Sequence, residues 1–442
     1  MTSHDIACLR PGRRAVLAGL AGWATMGKAA AATEREFRPE GAGDQTDPFS
    51  RALRDATRQG LPLRLAPGEY RLSGLSLPAG AVILGAGERT VLVQAGRDSV
   101  LVAEDATHLT LANLLVRGDR ALGSRTPLLR LTGIARLDVS GIRLVDAAGT
   151  ALQTVRCGGR IRDCSIEGAD IGMQALDSAG LALTGNDIRR CRNNGLQVWT
   201  STKRYDGTQV LGNRVAEIGA EAGGSGENGN GINVFRAEGV IVANNVLRGC
   251  AFSGIRANAG DNVQITGNQC TGSGEVAIFV EFGFQGAVVA NNLIQGASAG
   301  ISVTNFDQGG RLAAITGNVV RNVFRRPEPL TGVPNQGYGI AAEADAVLSG
   351  NVVEQAEFAG LMIGYGPFLR DVVATGNIVR QAATGIMVSV APGAGSAQID
   401  GNTLVGCREG IAAYAWEKVA APDLPAAAAR FPQIALGRNV VR

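Results

Sequence analysis

The sequence predicts an all-β chain: a right-handed, single-stranded parallel β-helix (solenoid) with a short N-terminal capping helix. Three observations lead there. A Gly-Asn or Ala-Asn pair with an apolar residue one or two places on recurs at Asn186, Asn213, Asn244, Asn268, Asn291, Asn318, Asn351, Asn377 and Asn402, at intervals of 23 to 33 residues. Eight to ten residues after most of them stands Gly-Ile or Gly-Leu, and from there apolar and polar residues alternate, as in Ile232-Asn233-Val234-Phe235 and Ile301-Ser302-Val303-Thr304. Glycine supplies 62 of 442 residues, roughly twice its ordinary share of about 7%. Alternation with period 2 marks short half-buried strands. Units of this length without a helical stripe exclude helical repeats, which need two helices each, and propeller blades, which need about 40 residues.

The chain opens on a basic stretch ending in Arg13-Arg14, then an apolar run from Ala15 to Met26, then Ala29 to Ala32. A run of about a dozen residues is too short to span a bilayer and suits a signal peptide. Arg13-Arg14-Ala15-Val16-Leu17 resembles a twin-arginine signal, with Lys28 behind the apolar run. Residues 1–32 are therefore expected to direct export by the twin-arginine translocase to the periplasm or beyond, with cleavage near Ala31 or Ala32. All of the formal charge of +3 lies in that segment, in Arg10, Arg13, Arg14 and Lys28 against Asp5. The remainder is neutral, which argues against a nucleic-acid partner. No second apolar run reaches membrane length, so no membrane association is expected after cleavage.

Residues 33–442 are expected to form one β-helix domain, 41–92 its N-terminal cap and first coils, 93–442 its repeats. Pro48–Gln59 reads as a helix, with Asp47 as N-cap, Pro48 in the first turn and Gly60 beyond the end. Phe49, Leu53 and Ala56 share its apolar face. Leu65-Ala66-Pro67-Gly68-Glu69-Tyr70 and Leu77 to Gly87 then lead into the first coils. Within the repeats, asparagine tolerates a left-handed backbone at a tight bend, and its amide can bond the same amide one coil away. At the roughly 4.8 Å spacing of paired strands such residues form a register-fixing ladder. Their expected role is structural.

The cap residues 41–92, with their Pro-Gly-x-Tyr and Leu-Pro-x-Gly turns, resemble the start of the pectate-lyase-like β-helix superfamily. The signal and repeats together also resemble a family of twin-arginine-translocated repeat proteins to which no activity is attached. The superfamily resemblance implies work on acidic polysaccharides, yet its catalytic sets are missing. Histidine-dependent enzymes of this architecture need a histidine base, and past residue 32 only His108 remains, in an early coil. The Gly-His-Gly string of polygalacturonases is absent. The Arg-x-Pro-x-x-Arg setting of calcium pectate lyases fails at Leu330 in Arg325-Arg326-Pro327-Glu328-Pro329-Leu330.

The outward face of the repeated strand remains. Aligning the coils on Gly-Ile gives one outward column of Gln174, Gln197, Asn233, Arg256, Phe279, Ser302, Ala341 and Met362. A second runs Leu176, Trp199, Phe235, Asn258, Glu281, Thr304, Glu343 and Gly364. Trp199 and Phe235 in successive coils match the repeat of a sugar chain, so with Tyr205, Arg256 and Asn258 they are the candidate ligand-binding residues. Glu281 and Glu343 are the candidate catalytic pair. Two rows apart, about 9–10 Å, they sit at the upper edge of the roughly 6.5–9.5 Å expected for inverting glycoside hydrolysis. Solvated surface carboxylates are the alternative reading of both. Three insertions border this face: Thr200–Gly207, the Glu/Asn-rich stretch Glu221–Asn230, and Phe324–Gln336. Insertions beside a flat strand face are where solenoids carry function. The spacing in Glu221–Asn230 matches no calcium-loop motif.

Cys157, Cys164, Cys191, Cys250, Cys270 and Cys407 fall on small core positions. They contain no Cys-x-x-Cys or Cys/His cluster, so no metal and no cofactor is expected; a disulfide cannot be paired from spacing. The residues favour an exported β-helix that binds a polysaccharide along one strand face, with lyase or hydrolase cleavage left open by the lack of a motif. The alternative is a non-catalytic periplasmic scaffold for structure or protein interaction.

Overall fold

The computed structural model describes residues 33–39, 41–223, 226–326 and 336–442. The signal segment, with Arg13 and Arg14, lies outside the described residues. Residues Glu34–Arg442 form one compact unit. They wind as a right-handed parallel β-solenoid of about 15 turns. Among the described residues no helix is long and apolar enough to cross a membrane.

Each coil lays one strand in each of three parallel sheets. Sheet A carries the Gly-Ile strands: Ile171–Leu176 pairs with Asn194–Tyr205, which pairs with Asn230–Glu238, which pairs with Ile255–Asn258. Sheet B runs through Leu181–Thr184, Gln209–Leu211, Ile241–Ala243 and Val263–Thr266. Sheet C runs through Asp187–Arg189, Arg214–Ile218 and Val246–Cys250.

The interior is a set of aliphatic stacks. Leu196, Ile232, Ile255, Ile278, Ile301, Ile340, Leu361, Ile386 and Ile411 succeed one another in sheet A, and all are buried. The glycine that precedes all of them but Ile278 has a packing reason. A Cβ on Gly195 would stand 2.5 Å from the carbonyl oxygen of Gly231 and 2.6 Å from Val215 Cγ1. At Gly195 the coils approach too closely for a side chain.

The turn from sheet B to sheet C holds the asparagine ladder, with one correction of register. The stacked residues are Asn186, Asn213, Asn245, Asn268, Asn292, Asn318, Asn351, Asn377, Asn402 and Asn439; Asn244 and Asn291 are not among them. Each Nδ2 donates to the next Oδ1 at 2.9–3.0 Å. The same Oδ1 accepts the backbone N–H of the previous asparagine, as from Asn186 to Asn213 at 2.9 Å. The left-handed bend falls one residue earlier, on Gly185, Gly212, Asn244, Gly267 and Asn291. Two adjacent residues therefore divide the work that one was expected to do: glycine or asparagine bends, and asparagine stacks. At 244–245 and 291–292 both are asparagine, which is why the register slipped.

The capping helix spans Thr46–Arg58 and buries Phe49, Leu53 and Ala56, with Phe49 edge-on to Phe37 at 5.2 Å and Tyr70 at 5.9 Å. It begins earlier than expected. Asp47 lies inside the first turn, and Asp44 accepts the free N–H of Thr46 at 2.8 Å.

Candidate functional site

Sheet A alternates inward aliphatic and outward polar residues, so its outer face is built from the two columns read off the sequence. Their register holds: Gln174 pairs with Gln197, Asn233 with Arg256, Arg256 with Phe279, and Trp199 with Phe235. The upstream end is an amide ladder, Gln153 donating to Gln174 at 2.7 Å and Gln174 to Gln197 at 2.8 Å.

Trp199 and Phe235 meet edge to face, centroids 5.7 Å apart and planes at 62°. They form a corner, and the Arg236 guanidinium lies 4.6 Å over the Phe235 ring. Tyr205 stands apart at the flank, 73% exposed, over Gly207 and Gly239. The strand that carries it bulges out after Trp199 and is tied downstream by Lys203, which donates to Asp261 at 2.6 Å and to the Gly283 carbonyl at 2.8 Å.

Arg256, Asn258 and Glu281 come together in the middle of the face. Arg256 grips Glu281 through Nε and Nη2 at 2.6 and 2.9 Å, and Asn258 Nδ2 donates to the same carboxylate at 2.9 Å. The third guanidinium nitrogen donates to Glu275 at 3.1 Å, and the Phe279 ring lies 4.9 Å beneath. Arg256, Glu275 and Glu281 are all buried, although they point out of the solenoid. Gly226, in the loop between sheets C and A, covers Arg256. Burial pushes the Glu275 carboxyl up, and Arg256 pulls it back.

Glu343 lies two rows beyond Glu281, 8% exposed, where the chain leaves sheet A for sheet B. Its Oε2 accepts the backbone N–H of Phe306 at 2.8 Å. Burial dominates its environment and pushes its carboxyl up to about 7. Between the two glutamates Ser302 and Thr304 share a hydroxyl contact of 3.2 Å. Ser302 also bonds the buried Tyr338 hydroxyl.

Glu275 was not foreseen. Its coil reads Val276-Ala277-Ile278, so the Gly-Ile signal is broken where the glutamate stands. The break itself was the available signal. Among the described residues no group of three His, Cys, Asp or Glu side chains is placed to hold a metal ion, and Cys157, Cys164, Cys191, Cys250, Cys270 and Cys407 are free thiols. A concavity of about 630 Å³ on another flank is lined by Arg311, Asp345, Arg370 and Asp371; Asp345 binds both guanidiniums at 2.5–2.8 Å, so its one carboxylate offsets one of their two charges.

A family model described as "Right handed beta helix region" matches residues 210–370. No curated protein sequence matches the chain. Among solved structures, the catalytic domain of a GH87 alpha-1,3-glucanase in complex with tetrasaccharides is similar at 14% identity and a TM-score of 0.44, over 93% of this chain and 70% of that one. The catalytic unit of a thermostable GH87 alpha-1,3-glucanase from Streptomyces thermodiastaticus strain HF3-3 is similar at 14% identity and 0.46, over 91% and 66%. The pre-mature bacteriophage phi29 gene product 12 is similar at 15% identity and 0.47, over 85% and 54%. Similarity at this level says nothing of activity.

Proposed function

We propose that the chain, exported by the twin-arginine route, binds a polysaccharide along the outward face of sheet A. The observation that carries this reading is the convergence on one face of an aromatic corner, a buried Arg256–Glu281 pair and, two rows on, a glutamic acid titrating near neutrality. A carboxyl near pH 7 is suited to give and take a proton. Glu343 is accordingly assigned as proton donor to the glycosidic oxygen, and Glu281 as the carboxylate that receives the proton of the attacking water, an inverting hydrolysis. Glu281 is the more constrained of the two, because Arg256 and Asn258 occupy its oxygens and fix its orientation.

The test is solution binding of the exported form to soluble oligosaccharides prepared from acidic and neutral polysaccharides, beside Trp199→Ala/Phe235→Ala. Binding lost in the double variant supports the reading; no binding to any of them overturns it. Turnover that disappears in Glu343→Gln supports the assigned chemistry, and binding without turnover removes the hydrolytic part alone.

A further inference from the structure

The face of sheet A is open at one end and closed at the other. Upstream, Trp199, Phe235, Asn258 and Thr304 are all partly exposed. The first column is buried along most of the face, Gln197, Asn233 and Arg256 as well as Met362, Met387 and Ala412; the second, partly open upstream, stays closed from Glu343 on, where Ser389 and Tyr414 are each less than 10% exposed. These residues point outward, so something outside the solenoid covers them.

The cover is built from both flanks. On one, residues Tyr365 to Phe368 fold into a tight hairpin, with backbone bonds of 3.2 and 3.0 Å between its ends. The hairpin is pinned across the face, because Ser389 Oγ donates to the Gly366 carbonyl at 2.6 Å. Trp416 occupies the space a side chain at 366 would need, edge-on to Tyr365 at 5.3 Å and to Phe368 at 6.3 Å. Its own backbone is left-handed, φ 60°, a conformation costly for a large side chain and kept only where the surroundings enforce it. From the other flank Tyr338 and Phe358 pack on an apolar cluster of Met362, Met387 and Tyr414, Phe358 standing 6.0 Å from Tyr414. The result is a wall one row beyond Glu343.

Resting on the function proposed above, we infer that this face receives the end of a glycan chain, with its terminal residue lodged between Glu343 and the Tyr365–Phe368 hairpin. An internal stretch of polymer following the face would run into the wall. Five steps separate Trp199 from Glu343, about 24 Å of floor, which holds about five sugar residues at one per row.

The measurement is solution affinity for linear homo-oligosaccharides of two to ten residues. Each is offered with free ends, with the reducing end converted to the alditol, or with the non-reducing end methylated. Affinity is expected to rise to about five residues and then stay level, and one of the two end modifications to weaken it at least tenfold. Affinity still climbing from six to ten residues, or indifference to both modifications, overturns the inference while leaving polysaccharide binding intact. Binding of no oligosaccharide in any form is instead the failure of the underlying reading. A second variant, Tyr365→Ser/Phe368→Ser/Trp416→Ala, lowers the wall. It is expected to accept the disfavoured end-modified chain, and its thermal transition reports whether it folds; continued rejection by the folded variant also counts against the inference.

Discussion

Arg256 binds Glu281 through two hydrogen bonds of 2.6 and 2.9 Å on the outer face of a solenoid, yet both residues are less than 10% exposed. A buried ion pair of this kind contributes little net stability, but removing one partner strands a charge. Here Arg256 serves two carboxylates, so its loss strands both Glu275 and Glu281.

Replacing Arg256 by Met is therefore expected to destabilise the chain by about 3–5 kcal/mol. Adding Glu275→Gln and Glu281→Gln should recover most of that loss. Chemical denaturation of the single and triple variants checks both, and a single variant as stable as the parent would mean that water reaches the pair.

Glu343 makes stability depend on pH in a definite direction. Its folded pKa of about 7 lies above the unfolded value, so between about pH 4.5 and 7 the folded state holds more proton than the unfolded one. Stability contributed by the protonated acid is complete below that window and lost as pH rises through it. The loss is on the order of 3 kcal/mol. Glu343→Gln should flatten that part of the stability–pH curve and gain on the parent at pH 8. Parallel curves for the two proteins would exclude the assignment.

The ladder predicts a graded cost. Asn292→Ala removes one amide and leaves the Asn268 donors without the acceptor that now takes them at 2.9 and 3.0 Å. One orphaned buried group costs about 1–3 kcal/mol. Asn291→Gly, at the left-handed neighbour of φ 57°, should be neutral or stabilising. Thermal unfolding of the two variants separates bending from stacking.

Two glycines test two different reasons for being glycine. Gly195→Ala forces a methyl group to within 2.6 Å of Val215 Cγ1 and should cost about 1–3 kcal/mol by overpacking. Gly212→Ala has open space around it but a φ of 64°, and should cost about 1–2 kcal/mol by backbone strain alone. A second-site Val215→Ala removes the side-chain clash but not the 2.5 Å approach to the Gly231 carbonyl oxygen, so it is expected to rescue the first only in part and to leave the second unchanged.

Much of this architecture was legible because solenoid periodicity repeats its own signal. Gly-Ile fixes the phase of sheet A in most coils, so the outward columns could be listed without coordinates, and Arg256, Asn258 and Glu281 fell into adjacent places. What escaped was set by contacts between coils or by loops. Glu275 sits at a corner where its coil lacks the glycine. The bend and the stacked amide differ by one residue at Asn244–Asn245, a distinction that only backbone dihedrals make. The edge-to-face angle of Trp199 and Phe235 depends on side-chain rotation, to which strand register is blind. The wall at Tyr365 to Phe368 depends on Ser389 and Trp416, 23 and more residues later, meeting it through space.

Because each ladder asparagine bonds only its immediate neighbours, the solenoid is a stack of interchangeable discs, and distances along its face come in whole multiples of one disc. The gap between Glu281 and Glu343 cannot be tuned continuously by point substitution; it changes only when an entire turn is gained or lost. Excising the single turn between them would bring the two acids to about 4.8 Å, close to the separation at which glycosidases retain rather than invert configuration. In such a scaffold the stereochemical outcome is a counting property of the chain.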